Sequence, residues 1–299
     1  MIHKKGSSLP YLHDFKDGKI KLGLGVNNNL DNYLRFKRRQ LNIILGHDNV
    51  GKTYFTSWYF LTLSMLHNLK WCIWSGENQH GQIIRDMVTM LSGTDFEELS
   101  YSEIHTYSAH IEQYFDFVDN KHLYKPNDLL KIFEDGDYDA CLIDPYTGLE
   151  RSMDYADNYK FLNDCRHFTN STGKTIYINT HPVTESGRNG NVYAKEHMWA
   201  GHLKPPMKSH VEGGKPFTNR ADDIIVLHRL TQHREMKYYT MVNIEKIRDT
   251  DTGGQQTMLD EPVLCEYNFG KGFMINGVDS LAPIRSEITK PLELWNQQN

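Results

Sequence analysis

LNIILGHDNVGKT, residues Leu41–Thr53, decides how this chain is read. Asn42–Leu45 is a short apolar run of the kind buried in a parallel sheet. Gly46–Thr53 follows with the spacing G-x-x-x-x-G-K-[ST], that of a phosphate-binding loop. Gly46 and Gly51 allow backbone conformations that a Cβ would hinder, so the N–H groups between them turn inward around phosphate oxygens. The loop residues Gly46, His47, Asp48, Asn49, Val50, Gly51, Lys52 and Thr53 are therefore candidate nucleotide contacts. Lys52 brings positive charge to the β- and γ-phosphates, and the Thr53 hydroxyl is placed to ligate Mg²⁺. Tyr54–His67 is predicted to be a helix, whose N-terminal dipole points at the anion.

Further strands are expected downstream, and three end in a chemically useful residue. Lys70–Ser75 is the second buried strand, running into Gly76-Glu77-Asn78. A carboxylate at the C-terminal end of a parallel strand faces the crevice where open α/β sheets bind ligands, so Glu77 is a candidate base. Tyr138–Asp144 is the third strand and closes on Asp144, placed to hold the Mg²⁺ hydration shell beside the Thr53 hydroxyl. Thr175–Asn179 is the fourth and leads into Thr180-His181-Pro182, making His181 a candidate contact to the γ-phosphate. Between them, Gln82–Ser92, Asn127–Phe133 (with Asn127 as a cap) and Tyr159–Thr169 are expected helices. Residues 94–120 are acidic and aromatic. The acidity opposes phosphate approach, so Tyr101, Tyr107, Tyr114, Phe115 and Phe117 are assigned to packing rather than to base stacking.

Residues 184–220 hold five Gly, three Pro and six Lys or Arg, too long a stretch for an ordinary connection; such loops are functional or disordered. Ile224–His228 and Lys237–Ile247 follow as strands, then an Asp251–Gly254 turn, and Val263–Asn268 with Gly272–Ile275 as a closing hairpin. Upstream, residues 1–18 are polar and basic and are expected to form an arm or linker, with residues 19–299 as the folded domain. Ile20–Val26 alternates like an edge strand, Asn29–Phe36 fits a short helix, and Lys37-Arg38-Arg39 is expected to be a solvated basic turn.

Composition narrows the class. Hydrophobic content of 39% and charged content of 24% over 299 residues suit a globular protein. No apolar run reaches bilayer-spanning length, and the N-terminus lacks the apolar core of a secretory signal. A cytoplasmic setting without membrane contact is expected, the host cytoplasm if the chain is phage-encoded. The four cysteines form no C-x-x-C pair; Cys72 and Cys141 fall in apolar runs and are expected to be buried thiols. Fifteen histidines show no metal-binding spacing. The net charge of −5 excludes a uniformly basic coat, but residues 1–39 carry nine Lys or Arg against three Asp.

The ordered set of phosphate loop, then Glu, Asp and His at successive strand ends, then Lys-x-Arg, resembles the RecA-like motor domain of hexameric replicative helicases of the DnaB and twinkle type (superfamily 4). The likeness runs over roughly Lys19–Ile275. GHDNVGKT is its most specific element; SGEN at Ser75–Asn78, LIDPYTGL at Leu142–Leu149 and NTHP at Asn179–Pro182 resemble the motifs that follow. The resemblance implies a mainly parallel, twisted central sheet with helices on both faces. It implies ATP, or another nucleoside triphosphate, with Mg²⁺ held by Thr53 and Asp144. Glu77 would be the catalytic base and His181 the γ-phosphate reporter. Lys246 and Arg248 would reach the nucleotide of a neighbouring subunit. It further implies a homo-oligomer, a hexameric ring, acting on single-stranded DNA, with a primase as possible partner. Lys204, Lys208 and Lys215 are the candidate DNA contacts. With no primase or zinc-binding segment in the sequence, a stand-alone motor of the plasmid or phage kind is expected. Two rivals keep the same fold: a recombination-type ATPase that does not unwind, and a nucleotide-gated adaptor that ignores DNA.

Overall fold

Leu41–Leu45 forms β1 with every residue buried, and it lies inside a nine-stranded sheet with the order β3-β2-β4-β5-β1-β6-β7-β8-β9. The structure is a computed structural model that describes residues 2–19, 23–152, 154–187 and 191–288. In chain order the elements are α1 (Leu9–Lys16), β1, α2 (Lys52–His67), β2 (Trp71–Ser75), α3 (His80–Ser92), α4 (Tyr101–Ile111) and β3 (Phe115–Phe117). There follow α5 (Pro126–Asp135), β4 (Ala140–Asp144), α6 (Tyr155–Thr172), β5 (Thr175–Thr180), α7 (Lys215–Arg220) and β6 (Asp223–His228). Last come β7 (Tyr239–Lys246), α8 (Thr250–Gly253), β8 (Val263–Tyr267) and β9 (Phe273–Ile275).

The first six strands along the sheet are parallel, and β7, β8 and β9 add on antiparallel. Parallel strands need crossovers, which place helices on both faces and bury both. Alternate residues of one strand accordingly serve two cores. Ile44, Ile73, Leu142 and Ile225 pack with α2 and α3, while Ile43, Cys72, Cys141 and Ile224 pack with α5 and α6. Helix α2 lies under one face with Phe55 through Ser64 buried all round, as expected of a helix without a polar side. The four cysteines are buried thiols.

Several expectations need correction. Residues 94–120 contain α4 and the edge strand β3, neither of which the sequence reading anticipated. The overlooked signal was the capping box of Ser100 and Glu103 at the start of α4. Of the aromatics there, Tyr107 and Phe115 are buried in the core, whereas Tyr101 stands out in solvent. Asn127 is not the cap of α5; Lys125 holds that position, with Pro126 opening the helix. Lys37 is not solvated. Its ammonium lies 2.8 Å from Asp223, itself buried at the head of β6, so a buried carboxylate has drawn in a buried counter-charge. Arg38 and Arg39 of the same run are exposed. Residues 20–22 of the anticipated edge strand lie outside the described residues; beyond them Leu24 makes a single bridge to Phe36. The 29–36 helix shrinks to a 3-10 turn at Asn29–Asn32, and the anticipated turn at 251–254 is the short helix α8. Within 1–18, α1 carries no buried residue. None of the described helices is long and apolar enough to cross a membrane.

The 184–220 stretch leaves the sheet after β5 and returns on itself. Pro182 bridges Val211, Val192 bridges Leu203, and Tyr193 and Trp199 pack with Leu230 and Met241 in a small core of their own. It ends in α7, which packs on α6. Residues 188–190 of this stretch lie outside the described residues.

Candidate functional site

The loop after β1 sits at the C-terminal end of the parallel strands, between β5 and β6 in sheet order. Its conformation depends on its glycines. A Cβ on Gly46 would lie 2.8 Å from Val50 Cγ2 and 2.9 Å from the Leu227 carbonyl, so the first loop position admits nothing larger than hydrogen. Gly51 caps α2 with φ of 85°, and Asn49 also lies in the left-handed region at 59°. Positive φ at both positions lets successive backbone N–H groups turn to one side, at the head of a sixteen-residue helix.

Lys52 is 8% exposed and donates to the carbonyls of Gly46 (2.9 Å) and His47 (3.1 Å), spanning the loop. Burial holds its ammonium below the ordinary lysine value, with Asp144, Asp48 and Glu77 pulling the other way. The Thr53 hydroxyl donates to Asp144 Oδ2 at 2.7 Å, and the Asn179 amide donates to Asp144 Oδ1 at 2.7 Å. Burial pushes the Asp144 carboxyl up; the two hydrogen bonds and Lys52 oppose that.

Glu77 lies exposed on the rim of the same cleft, whose volume is about 540 Å³. Its turn is fixed at several points. Gly76 N–H donates to the Asp144 carbonyl (2.8 Å), and Asn120 Nδ2 donates to the carbonyls of Ser75 (3.0 Å) and Asn78 (3.1 Å). His181 Nδ1 lies 2.7 Å from Asp48 and 3.3 Å from Lys52 Nζ. The nearer carboxylate sets Nδ1 as the protonated nitrogen, leaving Lys52 a charged neighbour rather than a donor to it. Lys52, Thr53, Glu77, Asp144 and His181 thus line one cleft. Asn120 was not anticipated, and Asn78 and Asn179 entered only as members of the SGEN and NTHP motifs, without a role of their own. A polar Asn closing the apolar run of β5 was the available signal for the last.

Two histidines tie this end of the sheet to the 184–220 excursion. Ser186 Oγ donates to the Val183 carbonyl, so His47 Nε2, 2.9 Å away, must donate to Ser186 Oγ. Burial, then Lys52, lowers the His47 pKa. His228 Nε2 lies 2.8 Å from the Leu203 carbonyl and donates to it. Burial depresses the His228 pKa from 6.5 to about 4, so the folded chain keeps this ring neutral where an unfolded chain would bind a proton. The contribution to stability is full above about pH 6.5 and is lost as pH falls towards 4, reaching about 3 kcal/mol at that point. Thermal unfolding followed from pH 7 to pH 4 should show this slope, and His228→Gln should flatten it.

Lys246 and Arg248 lie at the opposite end of the sheet, because β7 runs antiparallel and ends beside the start of β6. Lys246 Nζ donates to the carbonyls of Thr218 (2.8 Å) and Ala221 (2.7 Å). Both residues line a cavity of about 860 Å³ with Arg38, Arg39, Arg166 and Arg220. The candidate DNA contacts differ in their surroundings. Lys208 is bound to Glu245, through its backbone N–H to the carboxylate and its ammonium to the carbonyl. Lys204 lies over the Tyr193 ring, and Lys215 is exposed at the start of α7.

No protein-family model matches this sequence, and no curated protein does. Solved structures do. The chain is similar to a solved ATPase domain, with a TM-score of 0.69 at 14% identity over 92% of this chain and 100% of that one. It is also similar to a DnaB-like replicative helicase whose structure was described with its interactions with primase. There the TM-score is 0.68 at 14% identity over 91% of this chain and 68% of that one. The likeness gives the fold, that of a RecA-like ATPase domain of the kind found in replicative helicases, as the sequence pattern anticipated.

Proposed function

We propose that this chain is the motor domain of a DNA helicase or translocase, hydrolysing ATP at contacts between identical subunits while moving on single-stranded DNA. One observation carries the reading. The cleft around the glycine-spaced loop lies at one end of the sheet and an arginine-lined cavity at the other. Head-to-tail contact would lay the cavity of one subunit over the cleft of the next; such contacts close into a ring, a hexamer in this proposal, or run into a filament.

The loop amides and Lys52 hold the phosphates. Thr53 and Asp144 suit Mg²⁺: one hydroxyl and one carboxylate, both hard oxygen donors 2.7 Å apart, leave the other positions to phosphate and water. A larger ligand cluster is not required, and none occurs among the described residues. Mg²⁺ held there would supply positive charge that offsets the negative charge of the phosphates. Glu77 orients the attacking water from the rim of the cleft. His181 touches the γ-phosphate, and its neighbours Val183 and Ser186 pass that contact to the excursion. Arg248 of the adjacent chain neutralises charge that grows in the transition state, with Lys246 beside it. Lys204, Lys208 and Lys215 take the DNA backbone, and a primase is a further proposed partner.

The test is ATP hydrolysis with and without single-stranded DNA. The rate should rise with DNA. Three phosphate contacts per chain would make affinity fall roughly twentyfold between 50 and 200 mM salt. A rate indifferent to DNA would instead favour the nucleotide-gated adaptor, and DNA-stimulated hydrolysis without duplex unwinding the recombination-type ATPase.

A further inference from the structure

Asp222 sits just before β6, 2% exposed, and its carboxylate is fully engaged. Oδ2 accepts the Leu41 N–H at 2.9 Å. The Arg166 guanidinium, reaching across from α6, donates to both oxygens. Oδ1 also accepts from Arg248 Nη1 at 2.7 Å. The Arg248 main chain is held as well, its N–H donating to Asp223 Oδ1 at 3.2 Å.

The two arginines are held differently. The Arg166 side chain is 17% exposed and spends both terminal nitrogens on Asp222. The Arg248 side chain is 63% exposed, and its contact to Asp222 is made by one terminal nitrogen. The rest of its planar fork faces a cavity lined by four further cations besides Arg166 and Arg248. One carboxylate shared by two guanidinia leaves net positive charge at this spot. It also fixes a long side chain that would otherwise lose rotamer entropy on meeting an anion.

We propose that Asp222 and Arg166 are positioning residues for Arg248. Asp222 sets the direction of the Arg248 guanidinium before a neighbouring chain's nucleotide arrives, and Arg166 locks Asp222. Neither touches the nucleotide. The inference rests on the in-trans role proposed for Arg248 and adds the pair that aims it. Donors fixed before reaction stabilise developing charge without reorganising, so loosening the aim should cost turnover rather than binding.

The test uses Asp222→Asn and Arg166→Lys in the full chain, assayed with single-stranded DNA. Asn keeps the size of Asp and loses its charge; Lys keeps the charge of Arg and loses its two-pronged geometry. Each variant should lose at least tenfold in kcat with nucleotide affinity within threefold of wild type. Mixing either with Lys52→Ala should restore turnover above the sum of the separate rates, because the Lys52→Ala chain contributes an intact Arg248 assembly to its neighbour's cleft. Wild-type kcat in both variants overturns the proposal. So do mixtures that stay at the summed rate while Arg248→Ala with Lys52→Ala recovers, since the damage then lies within each variant's own cleft. If the Arg248→Ala mixture also fails to recover, the in-trans reading falls and this proposal with it. Should thermal unfolding show Asp222→Asn unfolded at the assay temperature, Arg166→Lys decides alone.

Discussion

Lys52→Ala should abolish turnover, lowering kcat by about a thousandfold or more, the upper range for losing one preorganised charge donor at a reacting group. The lysine is buried, and its ammonium lies within 3.3 Å of the Gly46 and His47 carbonyls and the His181 ring. Truncation to Ala removes the cation that Asp144 and Asp48 face and leaves both carbonyls without that donor. Binding should weaken too, since a charge-assisted hydrogen bond contributes about 2 kcal/mol, roughly thirtyfold in affinity. Steady-state hydrolysis, with titration of a fluorescent nucleotide analogue, measures both. A Lys52→Ala chain that hydrolyses ATP at the wild-type rate would remove the cleft from the mechanism.

Arg248→Ala should be nearly as damaging to hydrolysis while leaving nucleotide affinity close to wild type. Within its own chain Arg248 lies at the far end of the sheet from Lys52, so it cannot serve the cleft it shares a chain with. An arginine supplied by a neighbour is worth about three to five orders of magnitude in phosphoryl transfer where such groups act. The loss should be seen in kcat, and an equimolar mixture with Lys52→Ala should recover part of it. Brisk hydrolysis by Arg248→Ala at monomeric dilution would contradict the arrangement. The side chain is largely exposed, so its loss should cost little stability.

Much of the candidate site was legible because its residues obey local rules. A loop with this glycine spacing leaves few conformations, and apolar runs ending in Glu77, Asp144 and His181 place those groups at one end of a parallel sheet. The misreadings came where non-local partners decide. Lys37 stands in a basic run that composition assigns to solvent; Asp223, nearly two hundred residues away, buries it. Edge strand β3 is three residues long, too short for an alternating pattern, and exists because β2 offers it a hydrogen-bonding edge. Asn120 lies in a stretch without pattern, yet it holds the Glu77 turn from outside.

The residues alone were enough for the glycine-spaced loop at Gly46–Thr53, the strands that converge on it and the antiparallel hairpin that closes the sheet. Those follow from backbone sterics and from hydrophobic period, which act within a dozen residues. Tertiary structure alone decided which charges meet: Lys37 with Asp223, and Arg166 and Arg248 on Asp222. It also decided that Lys246 and Arg248 face away from their own chain's cleft. Pairing across the sheet is set by strand order and crossover, and a buried charge takes whatever partner that topology brings within reach.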